Sequence, residues 1–376
     1  MKWGKLLRRT AALFLATVAL WWLSITSGLG TAQSRRLAAG TLSASAAAAT
    51  PGTSGWVRLL LSHSPYLRAG HVLRSPGSAA PENVPEPSPT PPVSQTPLPD
   101  EEATPSPSGG EANIVAQTFL PTSNPAYRSA QGVFVYNRTH LTFDMEALAA
   151  APIALTGTGK GPQILIVHTH ATESYTQDGQ DSYQESDPYR TTDDAHNVVR
   201  IGDEMAAAFA QAGLNVLHDR TLHDYPNYNG AYGRSNATVA EYLAAYPSIS
   251  VVLDVHRDAL GGEDGTLYKA VADPETLPGH AQVMLVVGSS EANSDHVNWQ
   301  QNLALAIAME RVLNREAPTL ARPITLRPGS YNQQLSVGSL LVEVGTHGNT
   351  LAEAEAAARL FAQTVAPVIR ENLPKA

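Results

Sequence analysis

The sequence predicts an α/β fold built on a mostly parallel sheet with helices on both faces. Two observations predict it. Short apolar runs at 164–167, 251–253, 282–288 and 340–342 alternate with amphipathic helical patterns, the order expected when crossover helices join parallel strands. Three of those runs lead straight into ionisable side chains: His168-Thr169-His170, Asp254-Val255-His256-Arg257-Asp258, and Glu343. The C-terminal strand ends of such a sheet line one crevice, so these residues are expected to converge there.

The elements follow in chain order. Residues 1–30 read as a membrane anchor: Lys2, Lys5, Arg8 and Arg9 precede an apolar stretch over about 11–29 that includes Trp21 and Trp22. About 20 apolar residues cross a bilayer as a helix, and a basic flank stays on the cytoplasmic side, which puts the rest of the chain outside. A cleaved signal peptide competes, with small residues at 43–49 as the cleavage region. The long apolar run favours an uncleaved, single-pass anchor in the cell membrane. Residues 31–115 form a low-complexity linker, dominated over 76–110 by Pro, Ser, Thr, Glu and Gly, which cannot bury enough apolar surface to fold.

The folded domain is expected over 116–376. A strand edge at 133–136 and a short helix from Asp144 open it. A polar loop at 174–192 follows the first His-bearing strand, and an amphipathic helix at 197–211 stops at Gly213 before a strand at 214–217. Helices at 235–245, 299–313 and 350–373 complete the alternation.

Composition narrows the chemistry. A formal net charge of −9 without clustered Lys and Arg argues against nucleic acid as a partner. The chain has no cysteine, so disulfides, thiolate ligands and a thiol nucleophile are excluded, and any metal must be held by nitrogen and oxygen. Catalytic zinc takes three protein ligands and leaves a position for water. His168, His170 and His256 are the nitrogen donors; strand alternation puts His168 and His170 on one side, and both stay candidates. The carboxylate ligand is open between Glu173, Asp193 and Asp194, although Asp just before a helix commonly caps it. Asp254 and Asp258 are candidates to orient His256, with an Arg257–Asp258 ion pair as the alternative. Glu343 follows an apolar strand, where a lone charge is costly, and is the candidate general base. His218, Asp219, His223 and Asp224 suit a crevice rim better than a second metal site. Tyr225, Tyr228, Tyr232 and Arg234 suit stacking on sugar rings or gripping a peptide carboxylate, and Arg257 is a further candidate substrate contact.

The stretches 164–175, 197–204, 218–224, 232–235, 254–258 and 341–345 with Asn349 together resemble the stage II sporulation protein P family. These are zinc-dependent cell-wall hydrolases related in fold to N-acetylmuramoyl-L-alanine amidases. The resemblance implies a zinc amidase-like domain outside the membrane that cuts the amide between N-acetylmuramic acid and L-alanine in peptidoglycan, and also peptide cross-links in the stem. It implies His170 or His168 with His256 as ligands and Glu343 as catalytic base. Where the amidases carry a ligand Glu before the first long helix, this chain has Asp193-Asp194, so Glu173 stays an alternative. The resemblance also implies action with a membrane-bound glycan-degrading partner during engulfment. The rival from another class is a wall-binding tether without catalysis. A serine hydrolase is disfavoured because no Gly-x-Ser-x-Gly elbow follows a strand.

Overall fold

The computed structural model describes residues 113–158, 161–178 and 181–374. The expected anchor at 1–30 and nearly all of the expected linker lie outside them. Among the described residues no helix is long and apolar enough to cross a membrane.

Strand β1 (Ile114–Gln117) starts slightly before the expected domain boundary. Strands β2 (Tyr127–Ala130) and β3 (Val133–Asn137) form a hairpin. Its two linking residues, Gln131 and Gly132, have φ of 51° and 78°, the left-handed pair that matches the twist of a tight hairpin. Helix α1 (Met145–Ala150) is capped by Asp144, whose side chain accepts from Ala147 N. Then come β4 (Ile164–Val167), α2 (Val198–Gln211), β5 (Val216–His218), α3 (Ala231–Ala245), β6 (Val251–Asp258) and β7 (Leu267–Ala270). The chain closes with β8 (Val283–Gly288), α4 (Trp299–Glu316), β9 (Ile324–Arg327), a 3₁₀ turn (Gln333–Leu335), β10 (Ser339–Thr346) and α5 (Leu351–Asn372). A capping box between Thr350 and Glu353 starts α5.

Among the described residues the main sheet has eight strands in the order β2-β3-β9-β8-β10-β6-β4-β5, while β1 pairs with β7 in a separate two-stranded ribbon. The expectation of a mostly parallel sheet is corrected: the sheet is mixed, with β8 antiparallel to β10 and β2 antiparallel to β3. The reason lies in the connections. Parallel neighbours need a crossover long enough to return the chain to its starting edge. No helix lies between β6 and β8, so β8 starts at the edge where β6 ends and runs back.

Alternation along the strands sorts the side chains onto two faces. On the rear face Ile164, Ile166, Leu253, Val255, Leu285, Val342 and Val344 pack with Phe209, Leu303 and Phe361 of α2, α4 and α5 in the principal core. On the front face Leu165, Val167 and Val252 pack with Val239 of α3, and Met284, Val286 and Leu341 form a separate patch. Glu343 and His256 belong to this front face, directly opposite each other in the β10–β6 register.

Glu310 of α4 is a charge-bearing residue inside the rear core. Burial raises its carboxyl from an ordinary 4.5 to about 8, against hydrogen bonds from the Phe134 and Ile324 backbones. The folded state therefore binds a proton that the unfolded chain has released across this window. Stability from this group is full below about pH 4.5 and is lost as pH rises toward about 8. Glu310→Gln is expected to flatten that slope, with urea unfolding midpoints measured at about pH 5 and about pH 9 as the check; an unchanged slope assigns the dependence elsewhere.

Candidate metal and catalytic centre

Three chain segments build the site. Beyond β4 the chain turns instead of continuing as a strand, and this turn separates the two histidines expected on one side. His168 stays on the rear. Its Nδ1 lies 2.9 Å from the Val255 carbonyl, which can only accept, so that nitrogen carries the proton. Its Nε2 lies 2.8 Å from Nε2 of His218, whose Nδ1 faces Asp203 at 3.1 Å. Burial and the neighbouring His218 lower the His168 pKa to about 3, leaving the ring neutral. The pair fits only because residue 202 on α2 is glycine: a Cβ there would stand 2.4 Å from His218 Nε2 and 2.6 Å from His168 Nε2.

His170 emerges on the other side of that turn. Among the described residues, one group of histidine and carboxylate side chains gathers closely enough to hold a metal ion: His170, Glu173 and His256, their ligand atoms within 4.8 Å of one another and all three buried. The His170 Nδ1 is 3.5 Å from Glu173 Oε1, and the His256 Nδ1 is 3.4 Å from Glu173 Oε2. The two imidazole rings meet edge to face at 5.0 Å.

The surroundings orient each member. Burial opposes ionisation of Glu173, but hydrogen bonds from His170 and His256, with the charge of Arg257, hold its carboxyl well below the usual range. Burial likewise opposes a charged His256, and Asp254 and Glu173 outweigh it, raising its pKa well above the usual value. His256 Nε2 stands 3.0 Å from Asp254 Oδ1 without the alignment of a hydrogen bond. Asp254 is itself fixed by Thr169, which donates from N at 2.8 Å and from Oγ1 at 2.6 Å. This carboxylate behind an imidazole is the usual means of setting a ligand's ring orientation.

Other expected residues take different places. Asp193 and Asp194 are not brought to the group. Asp193 accepts from Ala195 N at 3.0 Å, and Asp194 pairs with Arg220 at 3.4 Å. The cap of α2 is Asn197, whose side chain accepts from Val199 N at 2.9 Å. Arg257, expected to grip substrate, is buried and donates to the carbonyls of Ser174 at 2.7 Å and Tyr189 at 2.9 Å, so it clamps the 174–190 loop. Asp258 pairs with Arg322 at 2.7 Å rather than with Arg257. Arg234 donates to the carbonyls of His223, Asn227 and Asn229 and so pins the loop before α3. Tyr232 does reach the site, edge-on to His170 at 5.4 Å.

Two residues, Arg190 and His347, escaped the sequence, and Tyr228, a candidate for stacking on sugar rings, packs within the site itself. Arg190 bridges Glu173 at 3.4 Å and Asp224 at 2.8 Å, and its guanidinium lies 4.8 Å over the Tyr228 ring. Tyr228 stacks on His170 with centroids 4.7 Å apart. His347, buried beside Tyr189, has its pKa lowered to about 4 by burial and by Arg257. No spacing pattern announces partners that lie this far apart along the chain.

The family model described as stage II sporulation protein P matches residues 99–366. The chain belongs to the stage II sporulation protein P family. The stage II sporulation protein P of Bacillus subtilis (strain 168) is 28% identical over 218 residues, 54% of this chain and 50% of that protein, so the match spans half of its relative. Among solved structures, the N-acetylmuramoyl-L-alanine amidase AmiC2 of Nostoc punctiforme is similar at 16% identity and a TM-score of 0.31, over 57% of this chain and 97% of that one. The CwlD amidase from Clostridioides difficile, solved with the GerS lipoprotein, is similar at 11% identity and a TM-score of 0.36, over 56% and 98%.

Metal content tests the group directly. Alanine at His170, Glu173 or His256 is expected to abolish bound metal in the purified, dialysed protein, measured by atomic emission. Asp194→Ala should keep it, and Asp254→Asn should weaken affinity roughly 10–100-fold.

Proposed function

We propose that this protein is a zinc-dependent peptidoglycan hydrolase that cleaves the amide between N-acetylmuramic acid and L-alanine. The observation that carries the reading is the convergence of His170, Glu173 and His256, with Glu343 directly across the β10–β6 pairing from His256. The donor set fits zinc. Two imidazoles and a carboxylate are a common catalytic combination. The Nδ1 atoms of His170 and His256 lie 3.5 and 3.4 Å from the Glu173 oxygens, and the ligand atoms all lie within 4.8 Å of one another, so the three side chains are close enough to converge on one cation. Zinc bound there supplies a Lewis acid that acidifies water and polarises the scissile carbonyl.

The chain's own residues do the rest. His170, Glu173 and His256 hold the cation, and Thr169 and Asp254 hold His256 in register. Glu343, buried at 3% exposure, takes the proton from the attacking water and returns it to the departing amine nitrogen. Tyr228 and Tyr232 wall the His170 side and limit water access. Stem-peptide cross-links offer an amide of the same kind and form a second substrate of this chemistry. The reading extends to sporulation and wall remodelling at engulfment, with residues 1–30 anchoring the chain in the cell membrane and the hydrolase on the extracytoplasmic side. A membrane-bound glycan-degrading enzyme is the partner this arrangement suits.

Glu343→Gln is expected to bind zinc at the parent level and to lower amide cleavage of purified cell wall by about 10²–10⁴-fold. Mass analysis of the muropeptides reads the cleaved bond. Full activity in that variant removes Glu343 from the mechanism, and wall binding without any cleavage by the parent protein leaves a tether.

A further inference from the structure

The front face of the sheet continues past the metal centre. From Glu343 on β10 the face runs to Met284, its partner on β8, and diagonally to Thr325 on β9, whose own β8 partner is Val286; Thr325 pairs with Tyr136 on β3, and Tyr136 with Tyr127 on β2. Thr325 Oγ1 lies 3.3 Å from the Met284 sulfur, which ties the middle of the face together. At its far end lies a cavity of about 480 Å³ whose lining includes Tyr127, Tyr136, Thr325, Phe119 and the exposed Leu120, a size ordinary for a small-molecule subsite.

Its chemistry is specific. Tyr127 and Tyr136 lie 5.0 Å apart at 37°, offering a tilted aromatic pair. Thr118, Thr122, Thr325 and Gln117 add hydroxyl and amide groups, and Leu120, Pro121 and Met284 add apolar surface. Among the described residues Arg322 is the one cationic side chain in the lining, and its charge is already committed: it pairs with Asp258 at 2.7 Å and lies 5.1 Å over the Phe119 ring. The cavity therefore suits an uncharged ligand with apolar faces, hydroxyls and acetamido groups, which describes an N-acetylhexosamine ring. A charged stem peptide would find no free counter-ion there.

The position agrees with that ligand. Asp258 is two residues beyond His256 on β6 and pairs with Arg322, which lines the cavity, so one ion pair ties the strand that carries His256 to the cavity wall. Four strand spacings separate β6 from β3, about 19 Å at about 4.8 Å each. Such a distance is spanned by a polymer strand and not by one sugar.

We infer that the Tyr127–Tyr136 cavity is a subsite for the glycan strand, binding N-acetylhexosamine units remote from the scissile amide. This rests on the peptidoglycan reading for its biological ligand. The subsite holds the polymer by stacking and neutral hydrogen bonds, independently of the metal.

The test is calorimetric binding of chitotetraose, the β-1,4-linked N-acetylglucosamine tetramer, to the full chain carrying Glu343→Gln. Binding is expected with and without chelator, to weaken about tenfold or more in Tyr136→Ala, and to survive in Tyr136→Trp, which keeps a stacking surface. Leu120→Arg, at an exposed position that does not endanger folding, should weaken it too by crowding the mouth of the cavity. No binding by the parent, or equal binding by Tyr136→Ala and Leu120→Arg, overturns the subsite. The two readings fail separately. Amide cleavage of wall together with chitotetraose binding indifferent to Tyr136 removes the subsite alone. Tyr136-dependent binding without any wall cleavage removes the hydrolase and leaves a glycan-binding surface.

Discussion

The parallel pairing of β6 with β10 is the constraint on which the site depends. It sets Glu343 opposite His256 on the front face while Val255, Val342 and Val344 enter the rear core beneath α2, α4 and α5. A slip of one residue in either strand would exchange the faces, sending a carboxylate into an apolar core and valines into the site. The rear core opposes that slip strongly, since each buried aliphatic side chain contributes about 1.5–3 kcal/mol. Geometry at the site is thus enforced from the opposite side of the sheet.

Around that pairing the polar groups form a layered arrangement. Glu173 lies between two imidazoles. Asp254 stands behind His256, and Thr169 behind Asp254. Arg190 and Arg257 join the 174–190 loop to the Glu173 carboxylate, by a side-chain contact at 3.4 Å and a backbone N–H donation at 3.2 Å. A buried carboxylate without such partners would take up a proton and lose its value as a ligand. Here burial and pairing oppose each other, and pairing prevails. The interior placement of so many charged groups costs stability unless each finds a partner, and here each does.

Much of this site was legible in the sequence because strands place residues by rule. His256 and Glu343 each follow an apolar strand run, and both lie on one face of adjacent strands. They sit inside β6 and β10 rather than at the ends, since both strands run on to Asp258 and Thr346. His168 and His170 were less legible, because alternation assumes the strand continues and the chain instead turns after Val167. The competition between Glu173 and the two aspartates is a matter of where a loop folds, and local sequence does not carry that. Arg257 reads from its sequence as a free cation, but the carbonyls that satisfy it come from residues 174 and 189.

By itself the sequence determined the alternation of strands and helices, the lack of thiol chemistry, the His and Glu candidates and the family. These depend on residue type and on periodicities of one chain segment at a time. Tertiary structure decided the mixed sheet, because the direction of β8 depends on the missing crossover before it. It also decided that His170 and not His168 meets Glu173 and His256, because a turn and the space left by Gly202 send the two histidines to opposite faces. Contacts made across many residues, through turns whose direction no local pattern specifies, exist only once the chain has packed.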